Sequence, residues 1–542
     1  MPSSPKDMTP VVDLLREKGT GAVRTRRPVY RDYLPPCNRA CPAGENIQAW
    51  LGAAQAGDYR GAWLQLTKDN PFPAVHGRVC YHPCESNCNR KELDSAVSIH
   101  GVERFLGDLA VREGWEFPRA EPSGKRVLVV GGGPCGLAAA YHLARFGHAV
   151  EVRDSGPLPG GMLHFGIPAY RLPREDLMNE IRRLETMGIR LVSNHRVRDV
   201  LAEKHDGHFD AVLIAIGTQL DRRIEIPAQD ATRVMTALRV LRGIEQNLPP
   251  LLGRRVVVYG GGNTAMDVAR SARRLGADEP LIVYRRDREH MPAHDFELEE
   301  ALAEGVKVKW LSTIQSIGTR EIVLEAMELD EHGVPQPTGK IERLEADAVV
   351  LAVGTEADSA FLRSVPGIAF RDDGGLAVDE NLMTGFPGIF AGGDVIPGER
   401  TVTVAVGHGK KAARCIDAWL SGERRAPAAK NPVVTFEMLN LPIFSDALPK
   451  RERERPVEQR VSGFGEVVSG LREPEARYEA QRCLSCGNCY ECDQCYAVCP
   501  EDAIVKLGPG RRYRFEYDRC TGCAECFAQC PCHAIEMIPE PA

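Results

Sequence analysis

Fifteen of the 18 cysteines lie in two groups toward opposite ends of a 542-residue chain, and the C-terminal group has the more specific spacing. Cys489-x2-Cys492-x2-Cys495-x3-Cys499-Pro500 is followed by Cys520-x2-Cys523-x2-Cys526-x3-Cys530-Pro531. Such a doubled run holds two 4Fe-4S clusters, and the fourth cysteine of each run ligates the other cluster. One cluster is expected on Cys489, Cys492, Cys495 and Cys530, the second on Cys520, Cys523, Cys526 and Cys499. Each short loop presents three thiolates to one face of a cubane, and the proline after the fourth stops a helix from continuing. The alternatives are structural zinc, which would want isolated pairs rather than two identical runs, and disulfides. The chemistry these residues can do is single-electron transfer.

Between the cysteine groups lie two glycine-rich loops. Arg126-Val-Leu-Val-Val is a short apolar run that predicts a buried parallel strand. It leads into Gly131-x-Gly133-x-x-Gly136 and a helical stretch over 137–146. A second strand pattern, Ala149-Val-Glu-Val-Arg, ends in Asp154, 23 residues after Gly131. Glycines there let the backbone approach a pyrophosphate, the helix N-terminus faces it, and the acid takes a ribose hydroxyl. The pattern returns as Arg254-Arg-Val-Val-Val-Tyr, then Gly260-x-Gly262-x-x-Ala265 and a helical stretch over 266–275. The next strand, Leu281-Ile-Val-Tyr, ends in Arg285-Arg286 instead of an acid. Arginine accommodates the 2′-phosphate of NADP, so NADP is expected there, with NAD the alternative. Two loops in this order predict FAD on the first and a nicotinamide on the second. A closing Gly388-Ile-Phe-Ala-Gly-Gly-Asp394, followed by 401–409 leading into a helix, predicts that the first domain resumes after the second. Cys135 and Cys415 stand alone near these loops, which argues against a disulfide reductase of the thioredoxin or glutathione kind.

The rest of the chain sets the frame. Its length predicts three or four domains, and 43% hydrophobic residues with 52 glycines describe an ordinary α/β protein. The start, Met1-Pro-Ser-Ser-Pro-Lys-Asp, has no apolar core for a signal peptide, and no stretch has the run of about 18 apolar residues of a membrane span. A net charge of −7 argues against a nucleic-acid partner. Many thiolates without an export signal fit a reducing cytoplasm. The mixed-charge run 450–460 is expected to be a solvated linker.

Five motifs carry a family resemblance: Gly77-Arg-Val-Cys80, Gly160-Gly-Met-Leu-His-Phe-Gly-Ile-Pro-Ala-Tyr-Arg-Leu-Pro173, Gly260-Gly-Gly-Asn-Thr-Ala-Met-Asp267, Tyr284-Arg-Arg286 and Met291-Pro-Ala293. In this order they resemble the small subunit of glutamate synthase and the N-terminal half of dihydropyrimidine dehydrogenase, over roughly residues 33–420. The C-terminal run resembles a two-cluster ferredoxin. The resemblance implies an α/β fold: two nested Rossmann-like dinucleotide-binding domains, a helical N-terminal Fe–S domain and a C-terminal α+β ferredoxin-like domain. The expected organisation is an extension at 1–30, the helical Fe–S domain at 31–118, the FAD-binding domain at 119–222 and 356–428, the NAD(P)-binding domain at 223–355, a linker at 429–480 and the ferredoxin-like domain at 481–542. FAD is expected to meet Gly131, Gly133, Gly136, Asp154, Gly161, Met162, Arg171, Gly217, Gly393, Asp394 and Thr403. The nicotinamide cofactor is expected at Gly260, Gly262, Asn263, Thr264, Ala265, Arg285 and Arg286.

The family also implies two N-terminal 4Fe-4S clusters, and here the sequence departs from it. The usual opening Arg-Cys-x2-Cys is absent, leaving Cys37, Cys41, Cys80, Cys84 and Cys88. The missing motif occurs instead as Arg482-Cys483-Leu-Ser-Cys486, just before the ferredoxin run. The pair is expected to fold back, so that Cys37 and Cys88 share a cluster with Cys483 and Cys486. By family pattern the other cluster takes Cys41, Cys80, Cys84 and Glu103. Four clusters and one FAD then describe a converter between hydride and single electrons. The expected role is an NAD(P)-linked flavin subunit serving the catalytic core of a larger oxidoreductase, such as a 2-oxoacid:ferredoxin oxidoreductase, or a free ferredoxin. The alternatives are a glutamate synthase small subunit and an electron-wiring subunit without catalysis.

Overall fold

The computed structural model describes residues 24–222, 224–228, 233–423 and 431–541. Two five-stranded parallel sheets form its centre. In the first, the spatial order is Ile389–Ala391, Ala211–Ile214, Arg126–Val130, Ala149–Arg153, Arg190–Val192. Its central strand buries Val127, Leu128 and Val129 completely, as a strand covered on both faces must. In the second, the order is Lys307–Lys309, Leu281–Val283, Val256–Tyr259, Ala348–Leu351, Arg233–Thr236. A three-stranded antiparallel sheet, Ser312–Ile317 to Pro335–Glu345, extends the second unit. The first sheet is completed by Ile389–Ala391, which follows the whole second unit in sequence, so one domain is inserted into the other. An antiparallel ribbon of Leu220–Asp221 with Thr355–Glu356 carries the chain out and back. No helix among the described residues is long and apolar enough to cross a membrane.

The N-terminal helices, from Pro36–Ala40 to Ile99–Arg112, pack into a separate core around Trp50, Leu51, Val102 and Leu106. Leu471, Ala476 and Ala480 complete that core. Chain from beyond both sheets therefore returns to the start of the molecule. The segment 450–460, expected as a solvated linker, is partly docked there: Glu452 pairs with His100 and Arg104, and Arg460 is buried against Glu454. Nearby Glu466 accepts from Arg78 and Arg104.

The ferredoxin-like domain has two one-turn helices, Gln494–Ala497 and Glu525–Ala528, each followed by a strand. Its last strand, Ile535–Pro539, pairs antiparallel with Arg26–Tyr30 from the other end of the chain. The joint to the helical domain centres on Gly487. Its N–H donates to the Cys532 carbonyl at 2.6 Å and its carbonyl accepts from Tyr33 N–H at 3.1 Å. At φ +75° a Cβ on Gly487 would sit 2.6 Å from Tyr33 Cβ and 2.7 Å from a Val434 methyl. Gly487→Val is therefore expected to strain the backbone and overpack the joint, at a cost of about 1–3 kcal/mol for the packing alone. Limited proteolysis should detach the C-terminal domain roughly tenfold faster or more, and an unchanged rate would mean the joint does not bear on its attachment.

Candidate functional site

The first glycine loop is shaped by what surrounds it. Gly131, at φ +109°, passes so close to the next strand that a Cβ would lie 2.4 Å from the Ala215 carbonyl, and a Cβ on Gly136 would lie 1.9 Å from the Gly131 carbonyl. At Gly133 a Cβ would meet no protein atom within 4 Å. Tight packing on either side of an open middle glycine is the cradle a pyrophosphate requires. Asp154 is oriented by Gly132 N–H on one carboxylate oxygen and Gly156 N–H on the other, each at 2.6 Å. It lines a cleft of about 320 Å³ with Gly131, Gly161, His195 and Arg196. The 160–173 loop lies on this turn: Gly160 N–H donates to the Gly132 carbonyl at 2.7 Å, and a Cβ on Gly161 would sit 2.9 Å from Gly133 Cα. Met162 opens the short helix Met162–Phe165 beside it. Gly217, at φ +61°, follows the adjoining strand. Gly393 abuts Cys135, and burial pushes the Asp394 carboxyl up to about 6, with Arg400 opposing.

The second loop repeats the geometry. A Cβ on Gly260 would approach the Ala352 carbonyl to 2.2 Å, whereas one on Gly262 would meet nothing within 4 Å. Ala265 is fully buried and Thr264 half-buried at the head of the helix Asn263–Arg274. Arg285 is exposed; Arg286 is half-buried, and its Nε has no hydrogen-bond partner among the described residues. Both residues follow the strand Leu281–Val283, where a phosphate-binding pair is expected.

Asn263 and Arg171 do more than the sequence foresees. Asn263 Nδ2 donates to the Tyr81 hydroxyl at 2.7 Å, and its Oδ1 accepts from His294 N–H at 3.0 Å. The Tyr81 and His294 rings stack at 3.8 Å. Arg171, expected at the flavin, forms a buried ion pair with Asp267 at 3.0 Å and with Glu297 at 2.5 Å. Residues of two of the five family motifs, and the residues directly after two others, thus meet where the helical, flavin and nicotinamide domains touch. Asp267 lies inside a quoted motif and Tyr81 directly follows another, yet nothing local in the sequence names their partners.

The cysteines gather in sets. Cys37, Cys88, Cys483 and Cys486 line one pocket together with Pro35, Gln48 and Leu51. Burial, reinforced by those three neighbouring thiols, pushes the Cys37 thiol up, and burial pushes Cys483 and Cys486 up to about 12. Without a metal such thiols stay protonated; a bound cluster would replace those protons, so this donor set fits one. The Cys483 loop is fixed by Arg482, which reaches Asp94 and Glu479, while Arg90 pairs with the same Asp94 and donates to the Arg482 carbonyl. Cys41, Cys80 and Glu103 lie close enough for charge on one to act on another. Burial and the Glu103 carboxyl push the Cys80 thiol up to about 12, and Cys84 adjoins Cys80 and Cys41. Glu103 accepts from Asn70 at 2.8 Å, and Asn70 also donates to Glu45 at 3.0 Å. Burial and the Glu45 charge raise Glu103, while burial pushes Glu45 up to about 7. Thr403, in the helix Val402–Ser421, donates to Cys80 Sγ at 3.0 Å, so the flavin domain touches this set directly.

In the C-terminal domain, Cys499, Cys520, Cys523 and Cys526 line one pocket. Cys489, Cys492, Cys495 and Cys530 gather beside it. The spare Cys532 is buried with its Sγ 3.8 Å from Cys530.

Comparison with known proteins agrees with this layout. The pyridine nucleotide-disulphide oxidoreductase family matches residues 125–409, the dihydropyrimidine dehydrogenase domain II 4Fe-4S family residues 25–115, and the 4Fe-4S dicluster family residues 488–534. The chain is 35% identical to the NADP(+)-dependent formate dehydrogenase subunit beta of Moorella thermoacetica, across 87% of this chain and 73% of that one. It is 33% identical to the NADPH-Fe(3+) oxidoreductase subunit beta of Geobacter sulfurreducens, across 84% and 75%. It is also 33% identical to the glutamate synthase (NADPH) small chain of Escherichia coli, across 71% and 89%.

Arg171→Met removes one side of a buried pair, a change that costs about 3–5 kcal/mol. Hydrogen exchange is expected to rise around Asp267 and Glu297 while bound FAD stays near one per chain. Loss of FAD with unchanged exchange would return Arg171 to the flavin.

Proposed function

We propose that this chain, which belongs to the pyridine nucleotide-disulphide oxidoreductase family, is the NADP(H)-linked flavin and iron–sulfur subunit of a larger oxidoreductase. The observation that carries the reading is the pocket lined by Cys37, Cys88, Cys483 and Cys486. It joins the helical domain, already in contact with the flavin domain through Thr403 and Cys80, to the ferredoxin-like domain. When bound, FAD supplies the exchange between hydride and single-electron chemistry, and the 4Fe-4S clusters supply one-electron carriers.

The chain's own residues position these groups. Gly131, Gly133 and Gly136 with Asp154 cradle FAD, and Gly161, Met162, Gly217, Gly393 and Asp394 border it. Gly260, Gly262, Asn263, Thr264 and Ala265 receive the nicotinamide dinucleotide, and Arg285 and Arg286 take the 2′-phosphate. Arg171 holds the nicotinamide domain against the flavin loop. The ligand sets then run from Cys41, Cys80, Cys84 and Glu103 to Cys37, Cys88, Cys483 and Cys486, and on to the two C-terminal sets.

The partner is a separate catalytic subunit that exchanges electrons at the C-terminal domain. The names of two relatives that each match more than four-fifths of this chain, a formate dehydrogenase subunit and an NADPH-Fe(3+) oxidoreductase subunit, support such a partner. An NADP-dependent dehydrogenase is therefore a candidate partner alongside the 2-oxoacid:ferredoxin oxidoreductase. The glutamate synthase small chain matches less of this chain, 71%, which weighs against that role. Co-purification from the native host would identify the subunit, and isolation of the chain without any partner would refute the reading.

Anaerobic analysis is expected to give about 16 iron per FAD, four from each of four clusters. The Cys483→Ser, Cys486→Ser double variant should lose roughly a quarter of that iron and slow reduction of an external dye, while NADPH still reduces the flavin. Unchanged iron would remove the pair from the ligand set.

Replacing Arg285 and Arg286 with glutamine should raise the Michaelis constant for NADPH about tenfold or more, since one charge-assisted hydrogen bond is worth about 1.5–3 kcal/mol. The value for NADH should scarcely move. Equal effects on both cofactors would refute the 2′-phosphate assignment.

A further inference from the structure

The residues before the helical domain do more than lead into it. Arg26–Tyr30 supplies an edge strand to the ferredoxin-like domain, paired from Arg26 opposite Pro539 to Tyr30 opposite Ile535. Pro28 lines the pocket shared by Cys499, Cys520, Cys523 and Cys526. The arm passes so close to the ligand loop that a Cβ on Gly522 would lie 2.4 Å from the Arg26 carbonyl. Ahead of the strand stands Arg24, only 9% exposed. Its guanidinium makes two 2.7 Å bonds to the Glu540 carboxylate, donates to the Cys520 carbonyl at 2.9 Å, and donates to the Tyr517 carbonyl. A second arm residue approaches the other ligand set, the Tyr30 hydroxyl lying 3.8 Å from Cys495 Sγ.

We propose that this arm is a redox-tuning part of the C-terminal domain, in which the Arg24 guanidinium raises the reduction potential of the cluster held by Cys499, Cys520, Cys523 and Cys526. The inference rests on the proposed reading that these four cysteines hold a 4Fe-4S cluster; their shared pocket and exposed Cys523 fit a group that trades electrons at the surface. Reduction adds one electron from the neighbouring cluster, with no bond made or broken, and so adds one negative charge. Cluster potentials respond to local charge, hydrogen bonds and solvent exposure. Arg24 acts on charge and exposure: it carries a permanent charge, is fixed beside the ligand loop by its bond to the Cys520 carbonyl, and sits in an arm that covers the pocket. Glu540 neutralises part of that charge, which gives the two residues opposite effects on the same cluster. A strand that merely completed the sheet would give no such opposition.

The test is an EPR-monitored redox titration of the full-length anaerobic protein. Arg24→Gln should shift the potential of this cluster downward, Arg24→Lys should restore most of the shift, and Glu540→Gln should shift it upward, with the helical-domain clusters unmoved. Unchanged potentials, or shifts of the same sign in the Gln variants, would overturn the role of Arg24. If Arg24→Gln fails to retain iron, the Glu540→Gln titration decides alone: an upward shift supports the proposal and any other result refutes it. An unmodified protein lacking the signal of this cluster would overturn the underlying cluster assignment instead.

Discussion

Burying thiols drawn from both ends of the chain is the constraint on which the architecture depends. Cys37 and Cys88 belong to the first hundred residues, Cys483 and Cys486 to the last sixty, yet they line one pocket. Crowded buried thiols gain nothing from one another. Their favourable state is one in which a metal group replaces the protons, so that ligation becomes folding free energy. The rest of the return path serves that closure: Leu471, Ala476 and Ala480 fill the helical core, and Arg482 and Arg90 converge on Asp94 beside the ligand loops. A half-buried carboxylate shared by two buried guanidiniums is costly to disrupt from one side, so the loop carrying Cys483 has little freedom.

The same closure sets the spacing of the electron carriers. Cys486 and Cys489 are ligands of different proposed sets, three positions apart in the chain. A fully extended chain covers at most about 3.6 Å per residue, so their Cα atoms lie within about 11 Å of each other however the segment folds. Gly487 turns the backbone between them, hydrogen-bonded to Cys532 on one side and Tyr33 on the other. At the opposite end of the route, Thr403 couples the flavin domain to Cys80 by one hydrogen bond. In the proposed route, the passages between domains fall where two domains share residue contacts, rather than across a linker.

What the sequence made legible was local. Both glycine loops, the nested sheets and the doubled cysteine run are repeats of short patterns; each glycine loop appears as a strand, turn and helix in the expected order, and each cysteine run as a loop with a one-turn helix. The fold-back pair was legible only by counting, since a motif missing at one end stood at the other. What escaped were long-range side-chain partners. The run 450–460 reads as solvated because its charges alternate, but Glu452 and Arg460 find partners on the helical domain and within the returning segment. Residues 26–30 form an apolar-poor stretch with no strand signature, and they become a strand because Ile535–Pro539 offers an edge. Arg171 sits in a flavin-proximal loop, and only the folded chain shows that two carboxylates from the inserted domain claim it.

That last contact bears on how the two nucleotide domains work together. They are joined covalently only by the ribbon of Leu220–Asp221 and Thr355–Glu356, which by itself would permit rotation. Arg171 removes that freedom by placing one guanidinium between Asp267, four residues past the head of the nicotinamide helix, and Glu297 of the following helix. Tyr81 adds a third domain to the junction through Asn263 and the stacked His294 ring. Rotation would break this buried pair, and separating the partners of such a pair costs several kcal/mol. Transfer of a hydride demands the reacting atoms within about 3.5 Å, so a fixed interface serves the reaction better than a hinge. The Cys80-bearing loop is part of that interface, and the geometry that holds the nicotinamide domain to the flavin is the same geometry that holds the first ligand set beside them.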